Sequence, residues 1–103
     1  MDVSELLKEL TTDEKAALVA GTDFMFTNPV PRLQIPAVRM SDGPHGLRVQ
    51  PEGGDNGVAG SEPATAFPTA ATTASSWNPE NTYKMGVAIA EECRHYGIDV
   101  VLG

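Results

Sequence analysis

Apolar side chains recur at Val3, Leu6, Leu7 and Leu10, a helical spacing that predicts a short helix over 3–10. Thr11 with Glu14 three positions on forms a capping-box pattern. The helix-favouring run 15–20 follows, and Gly21 supplies a stop. Two short helices or one kinked helix are expected. Between 21 and 36 the pattern turns irregular: Phe24, Met25 and Phe26 are large anchors, and Pro29, Pro31 and Pro36 exclude a helix interior. The short run Ala37-Val38-Arg39-Met40, bounded by Pro36 and by Ser41-Asp42-Gly43, reads as a buried strand. In the last third, Asn78 as N-cap, Pro79 at the first helical position and Glu80 facing the helix dipole mark a helix start. Met85, Ile89, Cys93 and Tyr96 then share one face, and Gly97 ends the helix. The run Ile98-Asp99-Val100-Val101-Leu102-Gly103 has almost no polar alternation, as in a parallel strand covered on both faces. Strand, loop, helix and strand make one βαβ unit, so the fold class is α/β.

Such a unit alone leaves the outer edges of both strands unpaired and the helix only partly covered. The chain has 103 residues, whereas a full α/β barrel takes about 250. The expectation is therefore a piece of a larger fold. A long loop runs from Asp42 to about Ala64, rich in glycine and proline. Loops of this length are functional or disordered. A flexible, solvated excursion is expected for the Gly/Pro-rich stretch 49–63, and a tighter, functional role for 42–48.

Charge and composition narrow the function. Seven basic against 14 acidic residues give a net charge of −7, which excludes the basic face that nucleic acid requires and a polybasic grip on anionic membranes. Hydrophobic residues are only 41 %, but their periodic clustering predicts a folded chain rather than a disordered one. A single cysteine, Cys93, excludes an internal disulfide framework and a cysteine-based zinc site. No apolar run approaches the roughly 20 residues of a membrane span. The start Met1-Asp2-Val3-Ser4-Glu5 lacks the basic and apolar regions of a signal peptide, so a cytoplasmic location is expected.

The chemistry concentrates in Ser41-Asp42-Gly43-Pro44-His45-Gly46-Leu47-Arg48, which starts at the C-terminal end of the first strand, where α/β barrels hold their active sites. Gly43 and Gly46 permit close backbone approach, and Pro44 stiffens the turn. An ionised Asp42 only accepts hydrogen bonds, which suits two neighbouring hydroxyls of a neutral polyol. Arg48 is near enough to donate over the same site. The alternative, that Asp42 caps a turn and Arg48 makes a structural salt bridge, is equally compatible with these residue types. A triad from Ser41, His45 and Asp42 is set aside, because one tight turn can hardly align all three. Asp42, His45 and Asp55 match no metal-ligand spacing. The glycines of 53–60 lack the Gly-Lys-Ser/Thr of a phosphate loop. His95, near a helix C-terminus, and Cys93, on an apolar face, are read as structural. Trp77 could stack on a sugar, but a packing anchor at the helix start is favoured.

Six segments in order carry a family resemblance: Leu10-Thr11-Thr12-Asp13-Glu14-Lys15; Val30-Pro31-Arg32-Leu33-Gln34-Ile35-Pro36, similar to "VPRLGIP"; Met40 to Arg48, similar to "SDGPxGxR"; Ala66-Phe67-Pro68-Thr69-Ala70; Ser76-Trp77-Asn78-Pro79-Glu80; and Gly97 to Gly103, similar to "GVDVLLGP". Together they resemble the N-terminal part of family 3 glycoside hydrolases, the β-glucosidase group. The resemblance implies a partial TIM-like (β/α) barrel, with N-terminal helices plus one βαβ unit of a larger domain, and residues 1–103 as its N-terminal portion. It implies retaining hydrolysis of terminal β-linked sugars, with a carboxylate nucleophile and a second carboxylic acid. Asp42 matches the aspartate that binds the sugar's 4- and 6-hydroxyls, and Arg48 the arginine that closes the same motif. The nucleophile and acid/base lie downstream of the matched region, so this chain alone is expected to be inactive, with the remainder of the hydrolase as further chain or missing sequence. The implied partner is a β-glucoside or related small glycoside, with no cofactor and no metal. The alternative is a non-catalytic sugar-binding or scaffold remnant of the same fold.

Overall fold

The computed structural model describes residues 2–51 and 60–103. It separates into two compact units, one up to Arg39 and one from Met40 on.

The first unit holds two separate helices, α1 (Val3–Glu9) and α2 (Thr12–Ala20). They are not one kinked helix, because Leu10 between them is extended. The Asp2 carboxylate caps α1, accepting from the Ser4 N–H at 3.3 Å. The capping box of α2 forms as expected: the Thr11 hydroxyl accepts from the Glu14 N–H at 3.2 Å, and the Glu14 carboxylate accepts from the Thr11 N–H at 2.8 Å. Gly21 ends α2 at φ +76°. The Asn28 amide then satisfies two carbonyls at that end, donating to Ala17 at 2.9 Å and Gly21 at 2.7 Å. A single 3₁₀ turn, Pro31–Leu33, sits inside a bridge between Val30 and Ile35. It presents Arg32 to the Glu14 carboxylate, 2.7 Å from Nε and 2.5 Å from Nη2, and to the Glu9 carbonyl at 2.8 Å. Leu10, Val30 and Leu33 form the buried core, with Leu6, Leu18 and Ile35 packed on it.

The first strand falls later than the pattern predicts. Residues 37–39 stay in the first unit, where Val38 exchanges hydrogen bonds with Thr27 and Arg39 bridges to Phe26, its guanidinium 5.6 Å from the ring centre. Pairing with 26–27 takes up the apolar run, and strand β1 is Met40–Asp42.

In the second unit β1 pairs in parallel with β2 (Val100–Leu102), in the register Met40 to Val100, Ser41 to Val101 and Asp42 to Leu102. Between them lie α3 (Ala70–Ser75) and α4 (Pro79–Tyr96). Helix α4 has the predicted ends: the Asn78 side chain accepts from the Glu80 N–H at 3.1 Å, Pro79 opens the helix, and Gly97 closes it at φ +63°. Its apolar face supplies Ile89 and Cys93 to a core with Leu47, Val49 and Ile98, against which Phe67, Met85, Tyr96 and Val101 pack. Helix α3 has no apolar periodicity to announce it. Its hydroxyls bond back along the helix, Ser75 to the Ala71 carbonyl at 2.7 Å and Thr73 to that of Thr69 at 3.1 Å. Trp77 does not anchor the helix start: it is 91 % exposed, at φ +51°. The loop assigned to 49–63 falls mainly on residues 52–59, outside the described residues. Val49, its first member, belongs to the core, and its carbonyl accepts from the Glu62 N–H at 2.9 Å.

Candidate functional site

Asp42 is the last residue of β1, and its side chain is exposed at the C-terminal end of a parallel strand. Binding groups collect there in α/β folds. The chain reverses at once. Gly43 sits at φ +131° and Gly46 at φ +137°, both in the region that favours glycine. The Gly46 N–H donates to the Gly43 carbonyl at 3.3 Å, and the Arg48 N–H to the Asp42 carbonyl at 3.0 Å. The backbone thus brings Asp42 and Arg48 side by side. Buried Ser41 donates its hydroxyl to the same Asp42 carbonyl at 3.0 Å. It spends that hydrogen on backbone. Beyond the turn burial alternates: Leu47 inside, Arg48 exposed, Val49 inside. The core side chains therefore hold Arg48 on the outer face.

Both glycines are sterically obligatory. A Cβ at Gly43 would collide with the Gly46 carbonyl and lie 2.8 Å from the Leu47 Cα. A Cβ at Gly46 would collide with the carbonyl of Thr65. The second collision identifies what supports the turn. The returning segment 62–67 runs against it, and the Phe67 N–H donates to the His45 carbonyl at 2.8 Å. Helix α4 fixes that segment from its other side. The Glu92 carboxylate accepts from the Thr65 N–H at 3.1 Å and from its hydroxyl at 2.5 Å, and the Tyr96 hydroxyl donates to the Pro63 carbonyl at 2.5 Å. Glu92 and Tyr96 lie one helical turn apart and act as a two-point clamp. Sequence reading missed this support, since no local pattern links Thr65 to a carboxylate 27 positions away. The spacing of Glu92 to Tyr96 on the helix was the only available signal.

The other candidates fall elsewhere. His45 contributes its carbonyl to the turn, and its buried Nδ1 has no hydrogen-bond partner among the described residues. His95 meets Tyr96 edge-on, with ring centres 4.8 Å apart. Cys93 is buried in the core, and that burial pushes its thiol pKa up. Asp55 and the glycines at 53, 54 and 57 lie outside the described residues.

No family model matches the chain. Individual proteins do, over its full extent. The chain is 44 % identical to thermostable β-glucosidase B of Acetivibrio thermocellus, an alignment covering 100 % of this chain and 14 % of that enzyme. It is also 44 % identical to an exo-α-(1→6)-L-arabinopyranosidase of Bifidobacterium longum, over 94 % of this chain and 13 % of that one. Among solved structures, a β-glucosidase from Kluyveromyces marxianus in complex with glucose superposes with a TM-score of 0.89 at 36 % identity, covering 100 % of this chain and 12 % of its own. A GH3 β-glucosidase from Bifidobacterium adolescentis gives 0.79 at 42 % identity, over 94 % and 13 %. The chain spans about one-seventh of the curated relatives it matches. Over that span, it is similar to an N-terminal segment of GH3-like β-glucosidases.

Proposed function

We propose that this chain is the sugar-binding N-terminal part of a retaining glycoside hydrolase that releases terminal β-linked sugars, built as the opening portion of a TIM-like (β/α) barrel. Asp42 accepts hydrogen bonds from two neighbouring hydroxyls of the terminal sugar, and Arg48 donates at the same rim. The groups that break the glycosidic bond, a carboxylate nucleophile and a carboxylic acid, belong to polypeptide beyond this segment. The observation that carries this reading is the full-length match, at 36–44 % identity, to a small share of enzymes named as β-glucosidases, one of them in complex with glucose. The exposed carboxylate at the end of β1 and the glycine-only turn beneath it give the reading a local rationale.

The arabinopyranosidase match, at equal identity, makes the sugar itself a question for the test. A chimera of the A. thermocellus enzyme, with its matching segment replaced by this chain, is assayed on aryl β-D-glucoside and aryl α-L-arabinopyranoside. The chimera should hydrolyse at least one of them, and Asp42→Ala should reduce kcat/KM. Each charge-assisted hydrogen bond lost is worth about 1.5–3 kcal/mol, or roughly 10- to 150-fold. A pentopyranoside has no hydroxymethyl oxygen, so the substitution should cost the glucoside more. A folded chimera that hydrolyses neither substrate, or an Asp42→Ala variant with unchanged kcat/KM, defeats the proposal.

A further inference from the structure

Residues 60–69, which lead back to α3, have no secondary structure of their own. Their position is set from two sides. On one side the Glu62 N–H donates to the Val49 carbonyl at 2.9 Å, and the Phe67 N–H to the His45 carbonyl at 2.8 Å. On the other side α4 holds them. Glu92 accepts from the Thr65 N–H and hydroxyl, and the Tyr96 hydroxyl donates to the Pro63 carbonyl. Glu92 is half-buried, and a carboxylate taken partly out of water needs donors. Among the described residues it takes them from Thr65 and not from a lysine or arginine. The Thr65 carbonyl in turn backs Gly46 so closely that a Cβ on that glycine would collide with it. The turn closes on Asp42 through the Arg48 N–H, 3.0 Å from the Asp42 carbonyl. Glu92, Thr65, Gly46 and Asp42 therefore form one mechanical line from the helix to the end of β1.

We propose that Glu92 is a positioning residue that sets the preference for a sugar bearing a hydroxymethyl group, by fixing the turn that carries Asp42. The inference rests on the function proposed above and deepens it. There Asp42 accepts from two hydroxyls, which in a hexopyranose are the ring 4-hydroxyl and the hydroxymethyl oxygen. A pentopyranose such as xylose offers only the first. Hydrogen bonds weaken steeply outside a narrow range of distance and angle, so a group that grips two of them must be held within about 0.5 Å. A displaced Asp42 weakens two bonds to the hexose and one to the pentose. The line through Thr65 gives Glu92 control over that displacement without touching the sugar.

The test uses the same full-length chimera, turning over the aryl β-D-glucoside while D-glucose and D-xylose compete for the site. An inhibition constant does not depend on how much of the enzyme is folded, so a merely structural role for Glu92 leaves both constants unmoved. If each weakened bond costs about threefold, Glu92→Ala should raise the constant for glucose about tenfold and that for xylose about threefold. Glu92→Gln keeps the reach and loses the charge, and should fall between wild type and Glu92→Ala. Thr65→Val removes only the hydroxyl and should narrow the preference in the same direction; with Glu92→Gln it carries the test if Glu92→Ala does not fold. Asp42→Asn should lose most of the preference, and Glu92→Ala added to it should then shift both constants equally. Constants that rise equally for the two sugars in Glu92→Ala alone, or do not rise, overturn the inference and leave the proposed function standing. So does a preference that Glu92→Ala still narrows once Asp42→Asn is present. A chimera active only on the arabinopyranoside, or one that binds xylose as tightly as glucose, has no preference for Glu92 to set and also overturns this inference alone. An unchanged preference in Asp42→Asn removes the assigned role of Asp42, and a chimera inactive on both substrates removes the proposed function; either result takes this inference with it.

Discussion

A methyl group at position 46 is the sharpest probe of how the turn after Asp42 is held. Gly46 lies at φ +137°, and a Cβ there would strike the Thr65 carbonyl. That carbonyl is not free to step aside. Glu92 holds the Thr65 N–H and hydroxyl at 3.1 and 2.5 Å, and two residues later Phe67 is tied to His45 at 2.8 Å. Forcing an L-residue into such a conformation costs about 1–3 kcal/mol. Pushing the segment off Glu92 forfeits a charge-assisted contact of roughly 1.5 kcal/mol, the low end of the range because Thr65 is exposed. The sum is about 2.5–4.5 kcal/mol, to be met by distorting the turn or releasing the segment. Either response moves Asp42, whose carbonyl is bonded to Arg48 across the turn. In the chimera, Gly46→Ala should lower kcat/KM for the aryl glucoside by about 100-fold, equivalent to losing one to two sugar hydrogen bonds. Gly97→Ala is the control. It also takes on a positive φ, +63°, but a Cβ there meets nothing within 4 Å. It should cost about 1 kcal/mol of stability and leave kcat/KM alone. If Gly46→Ala keeps wild-type kcat/KM, contact with segment 62–67 does not position Asp42 and the argument is wrong.

Three further outcomes are expected. Gln34 closes the 3₁₀ turn at φ +56°, ψ 30°, so Gln34→Gly should stabilise that turn by about 1 kcal/mol and slow amide exchange at Ile35 about fivefold; unchanged exchange would show that the left-handed backbone carries no strain there. Hydrogen bonds from Arg32, with help from the Thr11 N–H, lower the Glu14 carboxyl from 4.5 to about 2. The folded value lies below the unfolded one, so this contribution is complete above pH 4.5 and is lost as pH falls from there towards 2. Arg32→Met should move the NMR titration midpoint of Glu14 up towards the ordinary carboxylate range, and a midpoint that stays near 2 would assign the shift to the capping box instead. Cys93, buried and with its thiol pKa raised, should resist an aromatic disulfide reagent at pH 8 until denaturant is added; prompt native labelling would mean that the core around Ile89 and Ile98 is open.

The parts legible in the sequence were those in which neighbouring residues decide the outcome. Thr11 and Glu14 cap each other across one turn, Asn78 and Pro79 open α4, and Gly97 closes it, each by an interaction confined to a few residues. The face formed by Met85, Ile89, Cys93 and Tyr96 was readable because burial repeats with the helix period. Errors arose where distant segments compete for the same residues. Val38 and Arg39 carry strand-like chemistry, but the irregular stretch at 26–27 pairs with them first, so β1 begins at Met40. Helix α3 is made of alanine, threonine and serine, with no apolar stripe to reveal it. An indole at a helix start ordinarily packs, so the sequence predicts an anchor at Trp77. It stands exposed here, and the sequence holds no sign of that.

The candidate site divides along the same line. The tight turn at Gly43 and Gly46 is legible because a sharp reversal after a strand needs glycine at such positions, whereas Asp42 and Arg48 stand out as candidates through the family resemblance. What makes the turn rigid lies far from it in sequence: Thr65, Phe67, Glu92 and Tyr96, contributed by a returning segment and a helix. This arrangement couples Asp42 to the core. Leu47 and Val49 pack with Ile89 and Cys93 of α4, while Glu92 and Tyr96 of that helix grip the segment backing the turn. The helix thus reaches the turn twice, through apolar packing and through polar contacts. Weakening either connection should be felt at Asp42 before the fold is lost. A double-mutant cycle between Glu92→Gln and Gly46→Ala should therefore be non-additive in kcat/KM, because both loosen the same residue: Glu92 holds the Thr65 N–H and hydroxyl, and the added methyl presses on the Thr65 carbonyl. Strict additivity would mean that Glu92 stabilises the helix without supporting the turn at 42–48.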